Sequence, residues 1–148
     1  MKIYVASSWR NESQPAVVEF LRGLGHEVYD FRNPSPGNDG FSWRQVALER
    51  DEQGKSTLAV LAEAHEHPLA VQGFKYDFDA MKWADACVLV LPAGNSAHSE
   101  AGWMKGKGKQ VFVYGERRVE PELMYKFFDG MYDSLAKLGD TLTVCLVR

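Results

Sequence analysis

The sequence predicts an α/β protein built on a parallel sheet, and three observations carry that reading. Lys2 to Ala6, an amphipathic stretch from Pro15 to Leu24 and the run His26 to Phe31 form a β-α-β start. Strands joined through a helix in this way run parallel. Ala86-Cys87-Val88-Leu89-Val90-Leu91 is an uninterrupted apolar run that reads as a buried strand. The segment from Asp85 to Tyr114 then gives a second β-loop-α-β unit, closing on the strand Gln110 to Tyr114.

In chain order, Lys2 to Ala6 alternates and then runs apolar, as a first strand does. Ser7-Ser8-Trp9-Arg10-Asn11 is a polar loop. Val17, Val18, Leu21 and Leu24 recur at helical spacing, and Gly25 ends that helix. Arg32 to Gly40 holds two prolines and two glycines and reads as a loop long enough to cover a site at the strand ends. Phe41-Ser42-Trp43 opens a helical region with Ser42 as its cap. Residues 55 to 66 read as a helix broken by Pro68, and a further helix is expected over roughly 70 to 84. A helix from 97 to 106 follows the strand 86 to 91. Pro121 opens a short helical turn, and Phe128 to Tyr132 suits a short fifth strand. Ser134 then caps a last helix to about residue 146, although the β-branched run Thr141 to Val147 also suits a strand.

With 148 residues the chain fits one domain, 1–148, with a real core. Its 45% hydrophobic and 25% charged residues are those of a soluble globular protein. A net charge of −3 gives no footprint for a nucleic-acid polymer, while a small anion can still meet local donors. Cys87 and Cys145 lie in apolar runs and read as buried thiols, without metal-site spacing. No leader precedes the first strand and no apolar run approaches 18 residues, so a cytoplasmic enzyme or binding protein, away from membranes, is expected.

Glu100 stands out among the candidate functional residues. It follows the buried strand, at the sheet edge where open α/β folds bind ligands. With Ser96 as cap, a capping-box acid belongs at position 99, so Glu100 misses that role by one. It is expected in the first helical turn, where the helix dipole keeps a carboxylate ionised. An ionised carboxylate can attack an electrophilic sugar carbon, and a second acid such as Asp77 can protonate the leaving group. Of Asp77 and Asp79, one is expected to be merely solvated. Ser7, Ser8, Arg10 and Asn11 after the first strand, and Ser96, His98 and Ser99 after the third, meet at one edge if the strands are parallel. Hydroxyls, helix-start amides and an arginine suit a phosphate, and equally suit ordinary turns and caps. Trp9, Phe41 and Trp43 suit either a flat base or the core. His65 and His67, two apart, face different sides of a helix and do not make a metal pair.

These segments resemble the nucleoside 2-deoxyribosyltransferase family, including its 2′-deoxynucleoside 5′-monophosphate N-glycosidase branch. The resemblance covers most of the chain. It rests on Met1-Lys2-Ile3-Tyr4-Val5-Ala6-Ser7-Ser8, on Asp77 ahead of Trp83-Ala84-Asp85-Ala86, and on Ser99-Glu100-Ala101-Gly102 followed by Gly108-Lys109-Gln110-Val111. It implies a Rossmann-like, flavodoxin-related sheet of about five strands flanked by helices, with Tyr4 as a site tyrosine. It implies Glu100 as the nucleophile at C1′, Asp77 assisting the departing base, and no metal or organic cofactor. It also implies a homodimer or higher homo-oligomer in which a neighbour completes the site. The family's Asn or Ser for that purpose comes two before a Met, and here the position is Glu122, a departure that bears on sugar preference. The loop Pro92 to His98 and the length of the segment 33 to 70 also depart from the family's compact members.

The reaction expected is cleavage or transfer of an N-glycosidic bond in a nucleoside or its 5′-monophosphate, through a covalent glycosyl-Glu100 intermediate. A related phosphoribohydrolase is a competing reading, since Pro92-Ala93-Gly94 followed by Glu100 echoes part of that group's P-G-G-x-G-T-x-x-E motif. A non-catalytic nucleotide sensor on the same fold is another.

Overall fold

The computed structural model describes residues 1–146. Its five strands are β1 (Lys2–Ala6), β2 (Glu27–Asp30), β3 (Ala86–Val90), β4 (Gln110–Tyr114) and β5 (Gly130–Tyr132). They form one sheet in the order β2-β1-β3-β4-β5, with every pairing parallel. That is the flavodoxin-like order, in which β1 and β3 flank the topological switch point. Five helices accompany the sheet: α1 (Gln14–Gly23), α2 (Leu58–Ala64), α3 (Pro68–Trp83), α4 (Asn95–Gly106) and α5 (Leu135–Leu146).

Alternation along the strands divides the core. Ile3, Val5, Val88, Val90, Phe112 and Tyr114 face one side, where Val17, Val18 and Leu21 of α1 and Leu138 and Leu142 of α5 cover them. Tyr4, Cys87, Leu89, Val111 and Val113 occupy the intervening positions and are also buried. On α4 the buried residues are Ala97, Ala101 and Met104, and α4 lies against β3, β4 and β1. Two alanines in that row let the helix approach the sheet closely.

Several boundaries differ from the sequence expectation for local reasons. α1 starts at Gln14, with Pro15 in its first turn where no amide partner is required. Gly25, at φ +86°, turns the chain into β2. Pro68 opens α3 rather than merely ending the preceding helix, by the same first-turn tolerance. α2 is shorter than residues 55 to 66 because Thr57 caps it, accepting from the Val60 amide at 3.2 Å. Ser42 does act as a cap, through a reciprocal box with Gln45, but only for the 3-10 turn Trp43–Gln45. The turn after Pro121 is a 3-10 segment, Leu123–Phe127. The last segment is helical, since Leu138 and Leu142 sit one turn apart in the core, and their burial overrides the β-branched composition. Val147, part of the alternative strand, lies outside the described residues.

The chain divides into two compact units. One holds Met1–Asp30 and the chain from Ala80 onward; the other is Phe31–Asp79. The first contains the whole sheet with α1, α4 and α5. The second contains α2, the 3-10 turn at Trp43 and α3 as far as Asp79. Among the described residues, no helix is long and apolar enough to cross a membrane.

Candidate active site

The carboxyl ends of β1 and β3 are riveted together by the loop that follows β1. Ser7 Oγ donates to the Val90 carbonyl at 2.9 Å. Asn11 is buried, and its Nδ2 donates to the Val90 and Pro92 carbonyls at 3.2 and 3.1 Å. Its Oδ1 accepts from the Ser13 amide at 2.9 Å, which shapes the entry to α1. The loops after β1 and β3 therefore meet at one sheet edge, as parallel topology requires. Ser8 Oγ accepts from the Arg10 amide at 3.2 Å, and Arg10 and Trp9 are exposed.

Glu100 is not in the first turn of its helix. Gly94, extended at φ −92° and ψ −165°, is the cap of α4, so the helix begins at Asn95 and Glu100 is its sixth residue. The dipole effect fades within the first turn, so it is not what acts on this carboxylate. What surrounds Glu100 matters more. It is half-buried on a helix that covers the centre of the sheet, and its charge is felt at the Cys87 thiol. Burial first, and the Glu100 charge second, push that thiol's pKa well up. Cys87 pairs in register with Tyr4, and Tyr4 with Tyr29. The Tyr4 and Tyr29 rings stack at 5.3 Å with 15° between planes. Tyr4, Cys87 and Glu100 thus form one neighbourhood on the α4 side of the sheet.

The other residues named on α4 are distributed around it. Ser96 is exposed in the first turn, and Ser99 Oγ donates to the Asn95 carbonyl at 2.8 Å. His98 Nδ1 contacts the Gly94 carbonyl at 2.8 Å. A carbonyl only accepts, so that nitrogen carries the proton, and in the neutral ring Nε2 accepts from the Tyr125 hydroxyl at 2.8 Å. The two rings stack at 5.7 Å. Burial, then the nearby Glu122 charge, raise the Tyr125 pKa. Glu122 is exposed and caps the Leu123–Phe127 turn through the Met124 amide at 3.4 Å. A cavity of about 720 Å³ lies here, lined by His98, Gly102, Lys105, Glu122, Tyr125 and Phe128 among others. At about 100° per residue, His98 and Glu100 are roughly 160° apart around α4. Within one chain the His98–Glu122 cavity and Glu100 therefore lie on opposite flanks of the helix.

Asp77 belongs to the second unit, on α3, where it is half-buried. Asp79 is more exposed and pairs with Lys75 one turn earlier. Among the described residues, no group of three or more His, Cys, Asp and Glu is placed to hold a metal ion. The sequence reading did not single out Gln14, whose Nε2 donates to Asp30 Oδ1 at 2.8 Å from a fully buried position. It also missed Tyr125. No local signal marks a residue whose partner is 27 positions away, and Tyr29 becomes visible only once β1 and β2 are paired.

The class defined by this fold is a flavodoxin-like α/β protein with a carboxylate set against the central strands. No family model and no curated protein sequence matches the chain. Solved structures do share the fold. A 2-deoxyribosyltransferase from Bacillus psychrosaccharolyticus is 24% identical over 95% of this chain and 91% of its own, at a TM-score of 0.61. A CMP N-glycosidase from Clostridium botulinum is 17% identical over 97% and 99%, at 0.52. A conserved protein from Enterococcus faecalis is 16% identical over 95% of both chains, at 0.55. The likeness is one of fold, and two of these three proteins are of the kinds that the sequence motifs resemble.

Proposed function

We propose that this protein is an enzyme that cleaves or transfers the N-glycosidic bond of a nucleoside or nucleoside 5′-monophosphate, with Glu100 as nucleophile. The observation that carries the reading is the half-buried Glu100 carboxylate beside the registered Tyr4–Cys87 pair, on a fold shared with a deoxyribosyltransferase and a nucleotide N-glycosidase.

A Glu100 carboxylate oxygen forms a bond to C1′ as the C1′–N bond breaks, and the bonding pair leaves with the base. Asp77, in its protonated form, gives the base its proton. Water, or a second base, then attacks C1′ of the glycosyl ester, Asp77 takes up the proton released, and Glu100 is regenerated. Two displacements retain the anomeric configuration. Tyr4, fully buried and stacked on Tyr29, serves as the floor beneath Glu100. The loop 7–11 and the first turn of α4 provide Arg10, Ser8, Ser96 and helix-start amides for a 5′-phosphate. The whole chain serves as one catalytic domain and works in the cytoplasm as a homo-oligomer, the His98–Glu122 flank of one copy completing the site of another.

The test is a panel of nucleosides and 5′-monophosphates incubated with the protein, alone and with a second base, and free or exchanged base identified by mass spectrometry. Base release from at least one substrate, absent in Glu100→Ala, is expected. Release by neither protein, or equal release by both, overturns the reading.

A further inference from the structure

The second unit contains a contact that only a glycine permits. A Cβ built on Gly73 of α3 would stand 2.5 Å from Phe41 Cβ and 2.8 Å from Phe41 Cγ. The root of the Phe41 side chain therefore rests directly on the bare helix backbone. Phe41 is held there from its own side as well. Its ring meets Trp43 edge-to-face at 5.1 Å and 80°, and Trp43 meets His65 at 5.3 Å and 81°. The Ser42–Gln45 capping box and the bond from Arg50 to the Trp43 carbonyl at 2.8 Å hold the intervening backbone. Phe41 and Trp43 both remain partly exposed.

Asp77 follows Gly73 by one helical turn on the same face of α3. Side chains on a helix lean toward its N-terminus, over the preceding turn. The Cα–Cβ bond of Asp77 is thus directed toward the turn on which Phe41 rests. Resting on the N-glycosidic reading above, we infer that Gly73 and Phe41 are specificity-determining residues: the bare Gly73 seats Phe41 beside Asp77 as an aromatic wall for the departing base. A flat heterocycle placed to receive a proton from Asp77 then has the Phe41–Trp43 rings at its side. The space left between those rings and the helix selects the base.

The test separates base recognition from bond cleavage. Wild type, Gly73→Ala and Phe41→Leu are compared on matched purine and pyrimidine substrates, and on the corresponding glycosyl fluoride, whose leaving group needs neither a wall nor a proton. Alanine is the better helix former, so α3 itself tolerates the change at Gly73, and Phe41→Leu keeps the apolar filling while removing the aromatic face. Both variants are expected to lose about 5- to 150-fold in kcat/KM on the preferred base, the scale of one base–aromatic contact, and to narrow the purine–pyrimidine preference. Both should act on the fluoride within about threefold of wild type, well inside the single tenfold step. Equal losses on base and fluoride, or no loss on either, overturn the inference. If the wild type cleaves none of these substrates, the proposed reaction fails by itself, and calorimetric titration with the free bases still judges the wall. Weaker base binding by both variants than by wild type supports it, and equal binding, or none by wild type, rejects it.

Discussion

The charge of Glu100 on α4 reaches the buried thiol of Cys87 on β3 and reinforces the effect of burial in keeping that thiol protonated. The relationship places the carboxylate over the central strand and beside the position registered with Tyr4. Removing the charge should cost the fold little and the chemistry nearly everything. Glu100→Ala is expected to lower base release by at least about 10³-fold, as loss of a nucleophile does. Thermal unfolding should place its stability within about 1 kcal/mol of wild type, as for a substitution outside the core. A well-folded Glu100→Ala protein with full turnover would sink the mechanism.

The same relationship predicts the behaviour of the thiols. Cys87 is buried whereas Cys145 is partly exposed. A thiol reagent should modify Cys145 in the native protein and both cysteines after denaturation. Glu100→Gln removes only the smaller of the two causes of the Cys87 shift, so Cys87 should stay unmodified in that variant too. Rapid native labelling of Cys87, followed by peptide mapping, would contradict its placement.

Asp77 and Asp79 should separate cleanly. Asp79 is engaged with Lys75 at an exposed position, whereas Asp77 is half-buried on the face that carries Gly73. Asp77→Asn is expected to slow base release by about 100-fold or more, the scale of acid–base assistance. Asp79→Asn should change it by less than about threefold, since an exposed i,i+4 pair contributes only tenths of a kcal/mol. Steady-state rates for the two variants decide, and equal effects would remove Asp77 from its role.

The proposed 5′-phosphate site at the loop 7–11 makes Arg10 the discriminating residue. Arg10→Ala should raise KM for a 5′-monophosphate by about 10- to 150-fold, the worth of a hydrogen bond to a charged group. It should leave the matching nucleoside nearly unchanged. Ser99→Ala should do less, because its hydroxyl proton is already given to the Asn95 carbonyl. Parallel loss on nucleoside and monophosphate would count against a phosphate site.

The proposed assembly is tested on the flank opposite Glu100. Met124 and Phe127 line the His98–Glu122 cavity and are 53% and 61% exposed, and Leu123 next to Met124 in the chain is 79% exposed. Phe127→Asp should shift the sedimenting species toward monomer and lower activity with it. Glu122→Ala should lower activity while leaving assembly intact. A wild type that sediments as an active monomer would exclude completion of the site by a neighbour.

The sequence by itself determined the parallel α/β class, the limits of β1 and β4, the loop after β1, and Glu100 and Asp77 as the acids to examine. Those features are local, because strand burial, helix periodicity and glycine turns are written within a few residues of one another. Tertiary structure decided what depends on distant partners. Gly94, not Ser96, caps α4, and this moved Glu100 out of the reach of the helix dipole. Burial of Ala97, Ala101 and Met104 set the rotation of α4 against the sheet, and the bond from Tyr125 to His98 brought the Glu122 segment to the flank away from Glu100. Burial of Leu138 and Leu142 made a helix of a β-branched C-terminal run. Asn11 became a rivet only because Val90 and Pro92, about eighty residues further along, present carbonyls to it. Gly73 acquired its meaning from Phe41, more than thirty residues earlier, since whether a bare backbone is a weakness or a seat depends on what packs against it.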